Sequence, residues 1–295
     1  MNEFKYCHPI VNVLYFFLVI GFTMFLMHPV SLGITLFCAV VYTFVLKGKC
    51  EALKSMGLAC FVILFTAILN PLFSHNGMTV ITYLPTGNPL TAESICYGIA
   101  AGVMLSSVLL YFSCSNMVLT SDKFTYLFGR IIPKLSMVFS MIMRFVPTLI
   151  SRLKEISAVQ KTLGRDISKG SIIKRIKCGI KILSILITWS LENAIETADS
   201  MKSRGYGLSG RTSYTIFKLE KRDKLMLLSM GIFSAVILYG ILSEGLKYSY
   251  FPVCYTEKPS IFSLCLHTAY FLLCLTPVLL EWREAIRWNA IKSKI

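Results

Sequence analysis

The chain predicts an all-α, polytopic integral membrane fold with about six transmembrane helices and a cytoplasmic helical coupling segment between the fourth and fifth. Three observations predict it. Hydrophobic residues make up 55% of the 295 positions and mean hydropathy is +0.66, outside the range of soluble globular domains. Several apolar runs approach the roughly 20 residues that a helix needs to cross a bilayer. The 30 lysines and arginines are distributed unevenly between the runs, as positive-inside topology requires.

The spans are predicted at about 10–27, 30–46, 56–70, 94–113, 225–243 and 261–280. The first is too apolar and too long for a cleaved leader, and Phe25-Leu-Met-His28 lacks a small-residue cleavage site. Lys47, Lys49 and Lys54 occupy the link between the second and third spans, whereas 70–93 contains neither lysine nor arginine. That outer link is rich in turn formers (Asn70-Pro71, Asn76-Gly77, Asn88-Pro89), with a β-branched Thr79–Tyr83 piece suited to a short strand. Twenty of the 30 basic residues lie between Lys123 and Lys224. The tail adds Arg283, Arg287, Lys292 and Lys294. This pattern predicts a multi-pass protein of the cell membrane with both termini and the central segment cytoplasmic. The division expected is 1–118 (four spans), 119–224 (coupling region), 225–280 (a membrane hairpin) and 281–295 (a basic tail).

The central region opens at Thr120-Ser-Asp-Lys-Phe124, an N-cap signal. Ile131–Ile150 is apolar but carries Lys134, Arg144, Pro133 and Pro147; a basic helix, Ser151–Leu163, follows. After a break at Gly164–Gly170, a long helix runs from Ser171 to Ser203. Glu192, Glu196 and Asp199 argue against a span there, since each charge near a span centre costs about 2.5–3.5 kcal/mol. These helices are predicted to lie at or below the inner membrane surface. Pro147 is expected to kink or end its helix, Arg144 to pair with Glu192 or Asp199, and Glu192 and Glu196 to neutralise nearby lysines. Met137, Met141 and Met143 read as core filler, though a Met-rich face also suits a scaffold that accepts several partners.

The ten cysteines are scattered without a C-x-x-C pair, and the four histidines are dispersed, so neither a metal site nor a cofactor is expected. The chain has no P-loop, nucleophile elbow or H-E-x-x-H, which excludes the usual ATP-hydrolysing and covalent chemistries. Its net charge of +15 follows from topology and anionic headgroups rather than from nucleic acid. What remains is a non-catalytic membrane protein whose energy comes from another chain.

Five segments occur in order: Asn70-Pro-Leu-Phe-Ser-His75, Leu119-Thr-Ser-Asp-Lys-Phe124, Ile132-Pro-Lys-Leu135, Arg144-Phe-Val-Pro147 and Ala198-Asp-Ser-Met-Lys-Ser-Arg-Gly-Tyr-Gly207. Together they resemble the transmembrane (T) component of energy-coupling factor transporters, the EcfT/CbiQ family, well over about 55–225 and by topology elsewhere. The resemblance implies a scaffold joining two cytoplasmic ABC-type ATPases to a small substrate-binding membrane (S) subunit, for uptake of a vitamin or a transition metal such as cobalt or nickel. It also implies two arginine-centred motifs that dock into the ATPases. The second maps onto Ser203-Arg204-Gly205, with serine where alanine is usual. The first maps near Ala158–Gly164, where Leu163 replaces the expected arginine beside Gly164, and Lys161 and Arg165 flank it. A second terminal span, 261–280, departs from the family pattern. The competing readings are a permease with its own pathway, which needs ionisable groups within the spans, and a lipid-modifying enzyme, which needs a His/Asp/Glu cluster at one membrane face.

Overall fold

The computed structural model describes residues 3–83, 89–131, 133–164, 171–206, 217–243, 245–246, 248–252, 255–256 and 260–292. Within them the helices are α1 (Glu3–Tyr6), α2 (Pro9–Phe25), α3 (Pro29–Lys47), α4 (Lys49–Phe73), α5 (Ala92–Val118), α6 (Ser121–Ile131), α7 (Pro133–Thr162), α8 (Ile172–Ser203), α9 (Lys221–Leu242) and α10 (Ile261–Lys292). Two antiparallel hairpins, β1 (Val80–Tyr83) with β2 (Pro89–Thr91) and β3 (Tyr248–Ser249) with β4 (Tyr255–Thr256), complete the secondary structure. The chain divides into two compact units, Met1–Thr120 with Phe217–Ile295, and Ser121–Ile216.

Among the described residues six helices are long and apolar enough to cross a membrane, and the set differs by one from the sequence expectation. The helix α2 has 17 residues and falls just short, while α8 qualifies as the least apolar of the six. The reason is physical: the charges of α8 gather at its two ends and leave an apolar middle. Two further expectations need correction. Of the kink or end expected at Pro147 the end is absent, and Ser151–Leu163 is not a separate helix; α7 continues through Pro147 for 30 residues. Arg144 forms no ion pair with Glu192 or Asp199 among the described residues, and Glu192 and Glu196 pair with no lysine there.

In the first unit four tyrosines, Tyr15, Tyr42, Tyr111 and Tyr270, are fully enclosed together with Phe4. Buried phenols are usually hydrogen-bonded; the Tyr42 and Tyr111 hydroxyls find no partner among the described residues, whereas those of Tyr15 and Tyr270 do. Tyr15 donates to the Cys274 carbonyl at 2.8 Å, and the Tyr270 hydroxyl lies 2.8 Å from Thr35 Oγ1 and 3.2 Å from Thr23 Oγ1. Those bonds join α10 to α2 and α3 where no water competes. The rings of Phe4, Tyr15, Phe16 and Tyr42 meet edge-on or tilted at 5.2–6.4 Å, which fastens α1 beneath α2 and α3.

The tightest helix pair is α4 with α5, packed through Gly98, Gly102 and Ser106 at four-residue spacing. Lipid tails are as apolar as leucine, so helices associate in a bilayer through close contact and interhelical hydrogen bonds. A Cβ at Gly102 would lie 2.9 Å from Ile63 Cα, and one at Gly98 would lie 3.1 Å from the Thr66 carbonyl. Ser106 Oγ donates to the Ala59 carbonyl at 2.9 Å. At the next helix boundary Thr91 Oγ1 caps α5 by accepting from Ser94 N, and Glu93 accepts from the Thr79 amide at 3.2 Å and from the Thr79 hydroxyl.

The start of α9 carries a capping box between Glu220 and Asp223. Arg222 reaches Glu3 of α1 at 3.6 Å. Near them stands Glu281, the first charged residue after the apolar stretch of α10, with a buried Oε1 that has no hydrogen-bond partner among the described residues. Loss of water, with Glu3 adding repulsion, raises its carboxyl from the model-peptide range to about 7.

Two predictions follow from this packing. Gly102→Leu is expected to force α4 and α5 apart and to lower the thermal midpoint of the detergent-solubilised protein by at least about 4 °C; an unchanged midpoint would remove the close approach as a stabilising feature. For Glu281 the folded state holds the proton more tightly than the unfolded chain does. Stability must therefore fall as pH rises from the ordinary carboxyl range to about 7. Glu281→Gln is expected to flatten that decline between pH 5 and 8 in thermal melts, and an identical slope in both proteins would contradict it.

Candidate functional site

The second unit is built around α7 and α8. Trp189 of α8 is the contact between them: Phe145 stacks parallel to it at 6.1 Å, and the guanidinium of Arg152 lies 5.2 Å from the ring centroid. Phe145 and Arg152 are seven residues apart, two turns of one helix face, so both reach the same indole. Arg152 is held by Glu155 at 2.7 Å. The seven-residue spacing of Phe145 and Arg152 was the sequence signal for this contact, and it went unread.

At its far end α8 stops at a Schellman motif. Gly205 sits at φ 76°, its amide donates to the Lys202 carbonyl at 3.0 Å, and the Tyr206 amide donates to Met201 at 3.0 Å. A side chain in the left-handed region costs about 1–2 kcal/mol, so glycine is the residue that fits. Arg204 is thereby the C-cap residue, solvent-exposed and without an ion pair among the described residues. Ser203 Oγ turns back to the Ser200 carbonyl at 2.9 Å, which leaves the guanidinium as the chemistry presented at the tip.

The end of α7 shares the positive-φ glycine and the 5→2 hydrogen bond of this motif. Gly164 has φ 75°, its amide donates to the Lys161 carbonyl at 3.1 Å, and the Leu163 amide donates to Val159 at 3.3 Å. Leu163 therefore takes the position at this tip that Arg204 takes at the other, with 64% of its surface exposed. Aligned by geometry, Lys161-Thr162-Leu163-Gly164 corresponds to Lys202-Ser203-Arg204-Gly205. Arg165 lies outside the described residues. The two tips are separate sites. A helix of 32 residues is about 48 Å long, and the link from Gly164 to Ile172 can fold back by at most about 28 Å, so the tips stand at least about 20 Å apart.

The rest of α8 is divided by charge. Lys174, Arg175, Lys177 and Lys181 occupy its first turns, and Glu192, Glu196 and Asp199 its last ones. Along one face Ile173, Ile176, Ile180, Leu183, Ile187, Leu191 and Ile195 form an exposed apolar stripe. Among the described residues no three His, Cys, Asp or Glu side chains group as a metal site. Rigid tips, exposed cations and an apolar stripe suit the arrangement to docking.

The chain is similar to known proteins over most of its length. Residues 6–214 match the family described as CbiQ, cobalt transport protein. The chain is 33% identical over 190 residues to the energy-coupling factor transporter transmembrane protein EcfT of Lactococcus lactis subsp. cremoris, covering 60% of this chain and 70% of that protein. It is 30% identical over 197 residues to EcfT of Staphylococcus aureus (63% and 72% covered) and 25% identical over 224 residues to EcfT of Bacillus subtilis (71% and 80% covered). With a match over most of its length and the same named relatives recurring, this membrane protein belongs to the EcfT/CbiQ family.

Proposed function

We propose that this chain is the coupling subunit of an ATP-driven importer, fastening two cytoplasmic ABC-type ATPases to a separate membrane subunit that captures the substrate. The observation that carries the reading is the pair of matched helix tips. Each presents one exposed C-cap side chain on a glycine-terminated helix, and their separation lets each address a different partner molecule. A tip already fixed by backbone hydrogen bonds loses little freedom on docking. The guanidinium of Arg204 can grip a carboxylate through two parallel hydrogen bonds. Movement of the ATPases then passes along α7 and α8, which Trp189 clamps together.

The placement of lysine and arginine supports both termini and the region from Ser121 to Ile216 lying on the cytoplasmic side of the cell membrane. The names of the relatives support membership of an energy-coupling factor complex, and the family's description supports cobalt or a comparable metal ion, with a vitamin as the other class. In this arrangement the substrate is chosen by the S subunit.

Arg204→Glu, produced together with the partner subunits, is expected to insert normally yet weaken ATPase association about ten- to a hundredfold and abolish uptake. Arg204→Lys is expected to fall between, since an ammonium lacks the planar fork. Gly205→Ala keeps the arginine but strains the tip, and is expected to lose uptake to a smaller extent. The measurement is co-purification of the ATPases alongside uptake in vesicles. A full complement of ATPase and undiminished uptake with Arg204→Glu would overturn the assignment.

A further inference from the structure

The helix α10 does not stop where its apolar span ends. It continues through Lys292, and the exposed stripe of the span continues with it. Ile261, Leu264, Leu272 and Leu279 lie along one face, followed at the same helical spacing by Trp282 and Ile286, which are 65% and 50% exposed. Glu281 faces the opposite way, half-buried towards Glu3. The surface that meets lipid chains along the span is therefore the surface that meets headgroups one to two turns later.

Leu279, Trp282, Arg283, Ile286 and Arg287 together line a shallow, open groove on that face of α10. The two arginines are four residues apart and so project side by side. Arg287 is partly engaged by Glu284 at 3.1 Å, whereas Arg283 meets no carboxylate among the described residues. An indole at the level of the headgroups, beside two cations, matches the chemistry of an acidic phospholipid: a chain segment against Leu279 and Ile286, and a phosphate between the guanidiniums. The continuity of the stripe with the lipid-facing side of the span favours lipid over a protein partner as the occupant.

We infer that the groove formed by Leu279, Trp282, Arg283, Ile286 and Arg287 is a binding site for an anionic phospholipid, which holds the end of α10 at the membrane surface. The inference rests on the orientation proposed above for its assignment to the inner leaflet, but not for the site itself.

The test uses the full chain with Trp189→Phe and Trp288→Phe, so that Trp282 is the remaining indole. It is reconstituted in vesicles of phosphatidylcholine with increasing shares of phosphatidylglycerol, either lipid carrying brominated chains that quench tryptophan. Quenching of Trp282 is expected to show roughly a tenfold preference for the brominated phosphatidylglycerol, reduced at high salt. Arg283→Gln with Arg287→Gln is expected to bring the ratio close to one while helix content and overall quenching by lipid are retained. Equal quenching by the two lipids, or a preference that survives the double substitution, would overturn the site. Weak quenching by both would mean that protein covers Trp282, and would overturn it equally. None of these readouts involves the ATPases, so failure here leaves the coupling reading standing, and failure of coupling leaves this one standing.

Discussion

The constraint on which the structure depends is that hydrocarbon offers no hydrogen bonds, so backbone groups within a span must be satisfied inside its own helix. Irregular backbone, charge and exposed polar chemistry are then confined to helix ends. This chain spends its specialised residues there. His8 and His28 each precede a proline and accept, through Nδ1, the amide two residues on, which caps α2 and α3. Thr91 caps α5, Glu220 and Asp223 cap α9, and positive-φ glycines close α7 and α8. The features read here as functional are the same kind of object. A C-cap that satisfies the last carbonyls also fixes the direction of the side chain beside it, so ending a helix well and presenting a residue to a partner become one act.

Within the spans the same constraint explains the choice of side chains. Thr23, Thr35 and Thr43 return their hydroxyls to carbonyls four residues earlier at 2.6–2.7 Å, and so carry polarity without an orphaned donor. Their oxygens stay available to Tyr270 and Cys114, which lets polar groups join helices in a region where apolar contact alone discriminates little. Where no side chain intervenes, at Gly98 and Gly102, the backbones themselves come together.

Much of this was legible in the sequence because the governing signals are local. Apolar length gave five of the six candidate spans, the β-branched 79–83 piece gave strand β1, and the glycine after Arg204 gave the end of α8. What was missed depends on partners distant in sequence. Arg144 was assigned a carboxylate partner from charge alone, while the cation that α8 engages is Arg152, through the face of Trp189. The Gly98-x-x-x-Gly102 spacing was readable but ambiguous, since small residues reveal a contact only when the opposing helix is known. Equivalence of the two tips was hidden for another reason: Leu163 and Arg204 share no chemistry, only a position relative to a glycine of positive φ.

That equivalence alters how the departure at the first motif is understood. The glycine, the 5→2 hydrogen bond and the exposed C-cap side chain are all present at the Leu163 tip. A leucine in that position docks by displacing water from its own surface and that of an apolar pocket, a contact nearly indifferent to salt. An arginine docks through charge-assisted hydrogen bonds, which direct approach and weaken as salt rises. Under the coupling reading the two ATPase contacts therefore differ in kind. On that reading the Arg204 tip would supply orientation and the Leu163 tip adhesion, so a scaffold with one backbone device used twice would tell two related partners apart. Discrimination of that sort needs a mismatch as well as a match. A carboxylate-lined groove offered to Leu163 would be left desolvated and unpaired, and an apolar groove offered to Arg204 would strip a guanidinium of water without return.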